Sequence, residues 1–252
     1  NMDGVNNIDE IIDVSDGIMV ARGDMGVEIP FEQIPAIQKE IIEKGYMSGK
    51  QVITATQMLE SMITNLRPTR AEITDVANAI YDGTSAIMLS GETAAGKHPV
   101  EAVKTMALIA ETTEKDINYI ARLSKRPMQK GIDSTNAIAH AAVTTAHDLG
   151  AKAVITVTKS GSTAKNISKY RPTCMIIGCT PDDTVHRQMS LSWGVVPVKM
   201  DEKSSTDELF SAAIDAAKSH GLVEKDDIVV ITAGIPLGVA GKTNMLKVDT
   251  IK

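Results

Sequence analysis

The chain has 252 residues, of which 43% are hydrophobic but only 3% aromatic, and it contains 13 methionines. Aliphatic side chains must therefore fill the interior, which is typical of α/β proteins whose sheets are covered by helices. The net charge of −6, the absence of a dense Lys/Arg run and the absence of an apolar run near ~20 residues argue against nucleic acid and the membrane as partners.

The first half of the sequence contains three short aliphatic runs at a regular interval. They are "DGIMVA" near residue 17, "QVITAT" near residue 51 and "SAIMLS" near residue 85, and a helical pattern follows each one. Successive strand–helix units predict parallel strands joined by right-handed crossovers. Eight such units close a (β/α)₈ barrel, so three strands indicate part of one, and we expect the chain to be a piece of a longer protein.

The helical patterns of the first half have recognisable faces and ends. Residues 31–49 carry four isoleucines at helical spacing, and the second pattern, residues 71–83, ends at Gly83. The third pattern begins at Pro99 and predicts one helix as far as Leu123.

A polar segment over residues 123–133, with Pro127 and Gly131, predicts a linker. Helices and strands alternate beyond it, which predicts a doubly wound or mixed α/β domain of about 120 residues. The expected helices are residues 134–149, 164–170, 182–190 and 206–219, and the expected strands are 152–158, 173–179, 194–200, 227–234 and 244–251.

Cysteine and histidine give no metal or disulfide pattern. Cys174 and Cys179 are too few for a secreted disulfide framework or a zinc site, and no signal-peptide pattern is recognised, so we expect reduced thiols in the cytoplasm. His140 and His147 lie two turns apart on one predicted helix without further ligands, and we expect surface or core histidines.

Each strand of the first half is followed by a polar group: "ARGDMG", "TATQMLES" and "LSGETAAG". The carboxyl ends of parallel strands share one rim, where ligands bind. Glycines let the backbone approach an anionic ligand, and Asp24 is a hard oxygen ligand that suits Mg²⁺. Taken alone, Asp24 is equally well explained as a turn or capping residue, and Thr56 and Ser90 as hydroxyls satisfied by neighbouring groups.

The second half contains another candidate site, between its first strand and the next helix. Hydroxyls, a lysine, a glycine and a helix N-terminus converge there, which suits a phosphate, although an ordinary capped loop is the alternative. A glycine-rich loop, "GIPLGVAGKTN" over residues 234–244, would close over the same ligand. The candidate residues are Thr158, Lys159, Ser160, Gly161, Ser162 and Thr163.

Longer stretches of the chain resemble a known family. "DGIMVARGDMGVEIP", "ITATQMLESMITNLRPTRAEITDVANAIYDG" and "IMLSGETAAGKHPVEAV" resemble the second half of the catalytic barrel of pyruvate kinases. The rest resembles the C-terminal regulatory domain of that family. The resemblance implies about strands six to eight of a (β/α)₈ TIM barrel over residues 1–122, followed by a separate α/β effector-binding domain over residues 123–252.

The resemblance also implies an activity. Pyruvate kinases transfer a phosphoryl group from phosphoenolpyruvate to ADP in glycolysis, and then protonate the enolate to give pyruvate. By resemblance, Asp24 binds Mg²⁺ or Mn²⁺, the Gly23 and Asp24 amides and the Thr56 hydroxyl hold the substrate carboxylate, and Ser90 belongs to the proton relay. We expect Arg22 to fix the loop by ion pairing, with a direct substrate role as the alternative.

Some parts of the family's site are expected to lie outside this chain. In the family, the preceding strand ends in Lys-Ile-Glu-Asn, and this chain begins at that asparagine, Asn1. The lysine that stabilises the transferred group, the second metal-binding glutamate, the lid, most nucleotide contacts and the K⁺ ligands are therefore expected elsewhere. We expect the chain alone to be inactive and the complete protein to be a homotetramer.

The identity of the effector is open. Family members bind fructose 1,6-bisphosphate or, in some bacteria, ribose 5-phosphate or AMP, and the second loop here has Lys242 but no arginine. One alternative function is a stand-alone sugar-phosphate or nucleotide-binding module. Another is a metal-dependent aldolase acting on pyruvate, against which "ATQMLESM" and "RPTRAE" argue.

Overall fold

The structure is a computed structural model that describes residues 1–124, 133–236 and 242–252. Contacts divide the chain into two compact units, Asn1–Ile117 and Asn118–Lys252. Most of the predicted linker and the middle of the glycine-rich loop lie outside the described residues. None of the helices within the described ranges is both long and apolar enough to span a membrane.

The first unit is built on a three-stranded sheet in the order β1-β2-β3. Its strands are β1 (Gly17–Ala21), β2 (Gln51–Ala55) and β3 (Ala86–Ile87). Both pairings are parallel, which confirms the prediction from the spacing of the runs. The helices are α1 (Met2–Asn6), α2 (Ile8–Val14), α3 (Arg22–Glu28), α4 (Ile34–Met47), α5 (Arg70–Asp82), α6 (Gly91–Ala94) and α7 (Pro99–Asp116).

Helices α4 and α5 form where the sequence predicts them. The isoleucine face of α4 packs against β1 and β2, and Ile42 is fully buried in that core. Helix α5 begins with a capping box, in which Thr69 and Glu72 satisfy each other's amides, and it ends at Gly83 in the left-handed conformation with φ of 99°. These local signals therefore fix where α5 begins and ends.

Two expectations for this half of the chain are wrong. The residues "RGDMGVE" form helix α3 and not the loop expected around Arg22, and the sequence gives little sign of this helix because its two glycines lower helix propensity. The helix from Pro99 stops at Asp116, because Ile117 is extended with ψ of 122°. Asn118 then starts a new helix, α8 (Tyr119–Ser124), by accepting a hydrogen bond from the Ala121 amide at 2.8 Å.

The described part of the second unit contains a five-stranded sheet in the order β6-β5-β4-β7-β8. β8 runs antiparallel to β7 and the other pairings are parallel. The strands are β4 (Ala153–Val157), β5 (Met175–Thr180), β6 (Val195–Lys199), β7 (Ile228–Ala233) and β8 (Met245–Thr250). After α8, the helices are α9 (Ser134–Leu149), α10 (Ser162–Ser168), α11 (Asp183–Met189) and α12 (Thr206–Ser219).

Helices cover both faces of this sheet. Ile155 of β4 faces a core formed with α12, whereas its neighbour Val154 faces a core formed with α9 and α10. Alternate residues of one strand thus supply opposite cores, as the two-residue period of a strand requires. The prediction of a doubly wound, mixed α/β domain is confirmed.

Both cysteines of this unit are free thiols largely shielded from solvent, and His140 and His147 make local contacts. Cys174 and Cys179 are free thiols, and burial raises their pKa values to about 11 and about 12. The Nε2 atom of His147 accepts a hydrogen bond from the Thr173 amide at 3.1 Å. His140 lies edge-on to the Tyr170 ring, with the ring centres 5.5 Å apart.

Candidate functional site

A hydrogen bond joins the carboxyl ends of β1 and β2. The Gly23 amide donates to Oγ1 of Thr56 at 2.8 Å. Asp24 is the next residue along the chain and lies exposed in the first turn of α3. Gly23, Asp24 and Thr56 therefore occupy one rim of the first sheet.

The backbone at the end of β2 has an uncommon conformation. Thr56 has φ of 70° and Gln57 has φ of 54°, both in the left-handed region. A β-branched residue rarely adopts this region because its side chain crowds the backbone. Such strain is found preferentially at functional positions.

Arg22 contacts this strained segment and a carboxylate at once. Its Nε and Nη2 atoms donate to the carbonyl oxygen of Thr56 at 3.2 and 2.6 Å, and Nη1 donates to both oxygens of Asp75 at 2.7 and 2.6 Å. The Arg22 side chain is only 11% exposed. The expected ion pair of Arg22 is confirmed, and its partner Asp75, on α5, was not predicted.

Ser90 is tied to the same region by a buried carboxylate. The Ser90 amide donates to Oε2 of Glu92 at 2.8 Å, and Oε1 of Glu92 accepts a hydrogen bond from the Leu59 amide at 3.0 Å. Glu92 is 3% exposed. Glu92 therefore connects the segment after β3 with the loop after β2. The Oγ atom of Ser90 is buried and makes no hydrogen bond to any residue that the structure describes.

Glu72 holds the loop after β2 at a second point. Its carboxylate accepts hydrogen bonds from the amide and hydroxyl of Ser61, at 2.7 and 2.5 Å, and from the amide and hydroxyl of Thr69, at 2.7 and 2.9 Å. Partial burial alone would raise the pKa of Glu72, but these four donors outweigh it and lower the pKa below its ordinary value. The T-x-x-E spacing predicts the bonds to Thr69, whereas nothing local predicts the bonds to Ser61.

Asp24 fits one ligand position of a divalent metal ion. Mg²⁺ is commonly held by one or two carboxylates together with waters and substrate oxygens. The described residues contain no group of three or more His, Cys, Asp or Glu side chains that could hold a metal ion. Within the described ranges, Asp24 is therefore at most part of the set of ligands that a metal ion needs.

The second unit has a cavity of about 310 Å³ at the carboxyl ends of its parallel strands. The chain runs from β4 to β5 and β6 on one side and returns to β7 on the other side of β4, so this edge is the topological switch point where doubly wound sheets bind ligands. Among the predicted phosphate-binding residues, the cavity is lined by Thr158, Lys159, Ser160, Ser162 and Thr163.

The remaining predicted residue, Gly161, begins α10 with φ of 77°. A Cβ atom there would lie 3.3 Å from Cγ1 of Val185, in addition to the cost of the left-handed backbone. Thr163 reaches the segment before β8, because its hydroxyl lies 2.8 Å from that of Thr243. Lys242 lines the cavity, whereas residues 237–241 of this loop lie outside the described residues.

The charge in this cavity is mixed, which the sequence reasoning missed. Lys159 pairs with Glu202 at 2.6 Å between Nζ and Oε1, and Asp201 and Lys203 also line the cavity. Asp201, Glu202 and Lys203 belong to the polar run "DEKSS", which is separated from β6 only by Met200. A polar run at the carboxyl end of a predicted parallel strand was the available signal.

Parallel sheets covered by helices, with candidate ligand sites at the carboxyl ends of the strands in each unit, define an α/β protein of the class in which many enzymes bind their ligands at this edge. Residues 1–103 match the family profile "Pyruvate kinase, barrel domain", and residues 136–249 match "Pyruvate kinase, alpha/beta domain". The chain belongs to the pyruvate kinase family.

Individual relatives agree with this assignment. The chain is 55% identical over 252 residues to a pyruvate kinase of Clostridium acetobutylicum, and 53% identical over 251 residues to one of Geobacillus stearothermophilus. A crystal structure of a pyruvate kinase from Cryptosporidium parvum superposes with a TM-score of 0.92 at 44% identity, covering 100% of this chain and 50% of that one. This chain is covered completely and spans 53% and 43% of the two bacterial relatives, or about half their length.

Proposed function

We propose that this chain carries part of the catalytic barrel and the regulatory domain of a pyruvate kinase that transfers a phosphoryl group from phosphoenolpyruvate to ADP. Residues 1–122 are about strands six to eight of a (β/α)₈ barrel, and residues 123–252 are the effector-binding domain. The contact boundary after Ile117 falls a few residues earlier. The complete protein is proposed to be cytoplasmic and homotetrameric, with K⁺ bound by residues outside this chain.

The hydrogen bond from Gly23 to Thr56 carries this proposal for the active site. It supports a shared role for Gly23, Asp24 and Thr56, because the bond brings them to one rim in a member of the pyruvate kinase family. In the proposed site, the Asp24 amide and the Thr56 hydroxyl hold the carboxylate of phosphoenolpyruvate, and the Gly23 amide joins them when its hydrogen bond to Thr56 is exchanged for one to the substrate. The buried Ser90 hydroxyl suits a proton relay, because its Oγ has no hydrogen bond to the described residues.

Asp24 is proposed as one ligand of Mg²⁺ or Mn²⁺. When bound, the ion supplies positive charge that offsets the negative charge developing during phosphoryl transfer. The carboxylate is exposed, so it remains accessible to an ion and its waters. Among the described residues, Asp24 supplies only part of the set of ligands that the metal ion needs. We therefore predict that the 252-residue chain alone does not turn over phosphoenolpyruvate.

A hybrid enzyme tests the catalytic proposal. In it, this chain replaces the matching 53% of the Clostridium acetobutylicum pyruvate kinase, and the assay measures ADP-dependent pyruvate formation. We expect activity from the hybrid and none from the chain alone. A correctly folded hybrid without activity, beside an active parent enzyme, would contradict the proposal.

The hybrid also tests the role of Asp24. Asp24→Asn is expected to lower kcat/KM at least about 100-fold, because it removes a charge that would hold the metal at the site of phosphoryl transfer. Asp16→Asn is the matched control, because Asp16 is an exposed aspartate at the opposite, amino-terminal end of β1. Equal activity of the two variants would show that Asp24 is not a ligand of the metal ion.

The cavity of the second unit supports a second function, the binding of a phosphorylated effector. Its lining belongs entirely to the second unit, so the proposed site does not depend on the first. In the proposed site, the residues from Thr158 to Thr163 hold the phosphate, with Lys159 supplying charge. The same observation supports the alternative that the second unit acts as a stand-alone sugar-phosphate or nucleotide-binding module.

A further inference from the structure

Thr56 is held in a backbone conformation that β-branched residues rarely adopt. Its φ of 70° is unfavourable for a β-branched residue, yet this conformation is where its Oγ1 meets the Gly23 amide. Such a backbone persists only when surrounding contacts hold it. The Thr56 carbonyl oxygen makes such a contact, with the side chain of Arg22.

Arg22 supplies that contact with two donors. Its Nε and Nη2 atoms lie 3.2 and 2.6 Å from the Thr56 oxygen, which fixes the orientation of the peptide group that follows Thr56. A guanidinium is planar and rigid, so its remaining donors point in a fixed direction once two of them are engaged. Here the third donor, Nη1, points at α5.

Asp75 on α5 receives that third donor. Both of its oxygens accept from Nη1, at 2.7 and 2.6 Å, and the pair is partly shielded from water, with exposures of 11% for Arg22 and 36% for Asp75. A charged hydrogen bond in this setting is stronger than one between neutral groups. Helix α5 is itself fixed at its first turn by the Thr69–Glu72 capping box, so Asp75 projects from a rigid element.

We propose that Asp75 is a positioning residue, which acts through Arg22 to hold Thr56 in its left-handed conformation and so to aim the Thr56 hydroxyl at the rim of the first sheet. The value of this for catalysis rests on the proposed function, but the positioning itself does not. A lysine in place of Arg22 has the same charge but lacks the fork of donors needed to bind Thr56 and Asp75 together.

Two spectroscopic readouts of the purified 252-residue chain test this inference without any assay of activity. Backbone ¹³C chemical shifts of Thr56 report its φ, and hydrogen exchange of the Gly23 amide reports its bond to Thr56. In Asp75→Asn and Arg22→Lys, we expect the Thr56 shifts to leave the left-handed range and Gly23 exchange to accelerate about tenfold or more, as the loss of one hydrogen bond allows.

Asp82→Asn is the matched control, because it makes the same chemical change on the same helix. Asp82 pairs with Lys39 and accepts a hydrogen bond from Gln38 at the other end of α5, and its side chain is only 8% exposed. We expect this variant to lower stability and to leave both readouts of the Thr56 region unchanged. A loss of stability alone is thereby separated from a loss of positioning.

Each possible result of these measurements either supports the positioning role of Asp75 or contradicts it. Altered Thr56 shifts and faster Gly23 exchange in both Asp75→Asn and Arg22→Lys, with neither effect in Asp82→Asn, support the proposal. Unchanged readouts in a folded Asp75→Asn chain overturn it, and so does an equal effect of Asp82→Asn. Should Asp75→Asn fail to fold, Arg22→Lys decides in the same way. An inactive hybrid enzyme would count against the proposed function and leave this inference standing.

Discussion

At the scale of single residues, Arg22, Glu72 and Glu92 each use charge to fix a backbone segment beside the candidate site. Arg22 holds the carbonyl of Thr56, Glu72 holds Ser61, and Glu92 joins the amides of Leu59 and Ser90. From the sequence, we expect Arg22 to form an ion pair, whereas the capping role of Glu72 comes from the structure. The sequence does not predict their distant partners, because no local pattern encodes a contact between residues far apart in the chain.

Glu72 makes the stability of the first unit depend on pH. Because the pKa of this carboxyl is lowered, its stabilisation is present above its ordinary value of 4.5 and is lost as the pH falls through the lower value of the folded state. Glu72→Gln is expected to lower the free energy of unfolding by about 1–2 kcal/mol at pH 7. Urea unfolding measured from pH 7 to pH 3 should show the difference between wild type and variant shrinking at the acid end.

Glu43→Gln, on the exposed face of α4, is the control for this change. It removes the same charge and should alter the unfolding free energy little at either pH. A Glu72→Gln effect that persists undiminished at pH 3 would show that the stabilisation does not come from the ionised carboxylate.

The two thiols of the second unit should be nearly unreactive. With pKa values raised to about 11 and about 12, Cys174 and Cys179 hold little thiolate at pH 8, and the thiolate is the reactive form. We expect aromatic disulfide reagents to label the native chain at least about 100-fold more slowly than free cysteine, and to label it fully in denaturant. Thr173→Cys, which places a third thiol at an exposed neighbouring position, should add one fast-reacting group.

At the scale of elements, the fold of the first unit depends on how closely α4 approaches β2. Gly45 faces the fully buried Val52 across this contact, and a Cβ atom on Gly45 would lie 2.3 Å from Cγ2 of Val52. The helix boundaries, in contrast, are set locally, as Thr69 and Gly83 show for α5. Sequence patterns therefore predict the elements well and their distance of approach poorly.

Gly45→Ala tests this close approach. The added methyl group must displace the helix or the strand, and we expect the free energy of unfolding to fall by about 1–3 kcal/mol. Gly26→Ala on α3 is the control, because its Cβ would meet only Cδ1 of Ile34 at an ordinary 3.5 Å. Thermal or urea unfolding should show Gly26→Ala unchanged or up to about 1 kcal/mol more stable, since alanine favours a helix.

At the scale of the whole molecule, each unit carries its own sheet and its own core. The second unit buries one cluster on each face of its sheet, and its cavity is formed from its own strand ends. Such a unit should fold and bind ligand by itself. Ligand binding by the isolated second unit would indicate an independent binding module, whereas loss of binding would indicate a site that needs the first unit.

Residues 118–252 alone are therefore predicted to bind a phosphorylated ligand as well as the 252-residue chain does. Thermal unfolding of both, with fructose 1,6-bisphosphate, ribose 5-phosphate and AMP at equal concentrations, should show the same ligand raising the Tm of each. Lys159→Ala should weaken that binding about tenfold or more, because it removes a charged phosphate donor. Lys199→Ala is the control, since Lys199 is equally exposed and ion-paired on β6 but does not line the cavity. No shift with any of the three ligands would contradict the proposed effector site.

The sequence by itself determined the order of the eight described strands and of the longer helices, the parallel pairing of the first three strands and the position of the candidate residues at strand ends. These features follow from periodicity and capping, which depend on residues close together in the chain. The resemblance to a known family likewise rests on contiguous stretches of sequence.

Only the tertiary structure decided which side chains meet. It paired Arg22 with Asp75, placed Thr56 in the left-handed region and brought the acidic residues after β6 beside Lys159. It also turned the Arg-Gly-Asp segment into a helix. Each of these results depends on contacts between distant segments, whose energies override local propensity and leave no periodic mark in the sequence.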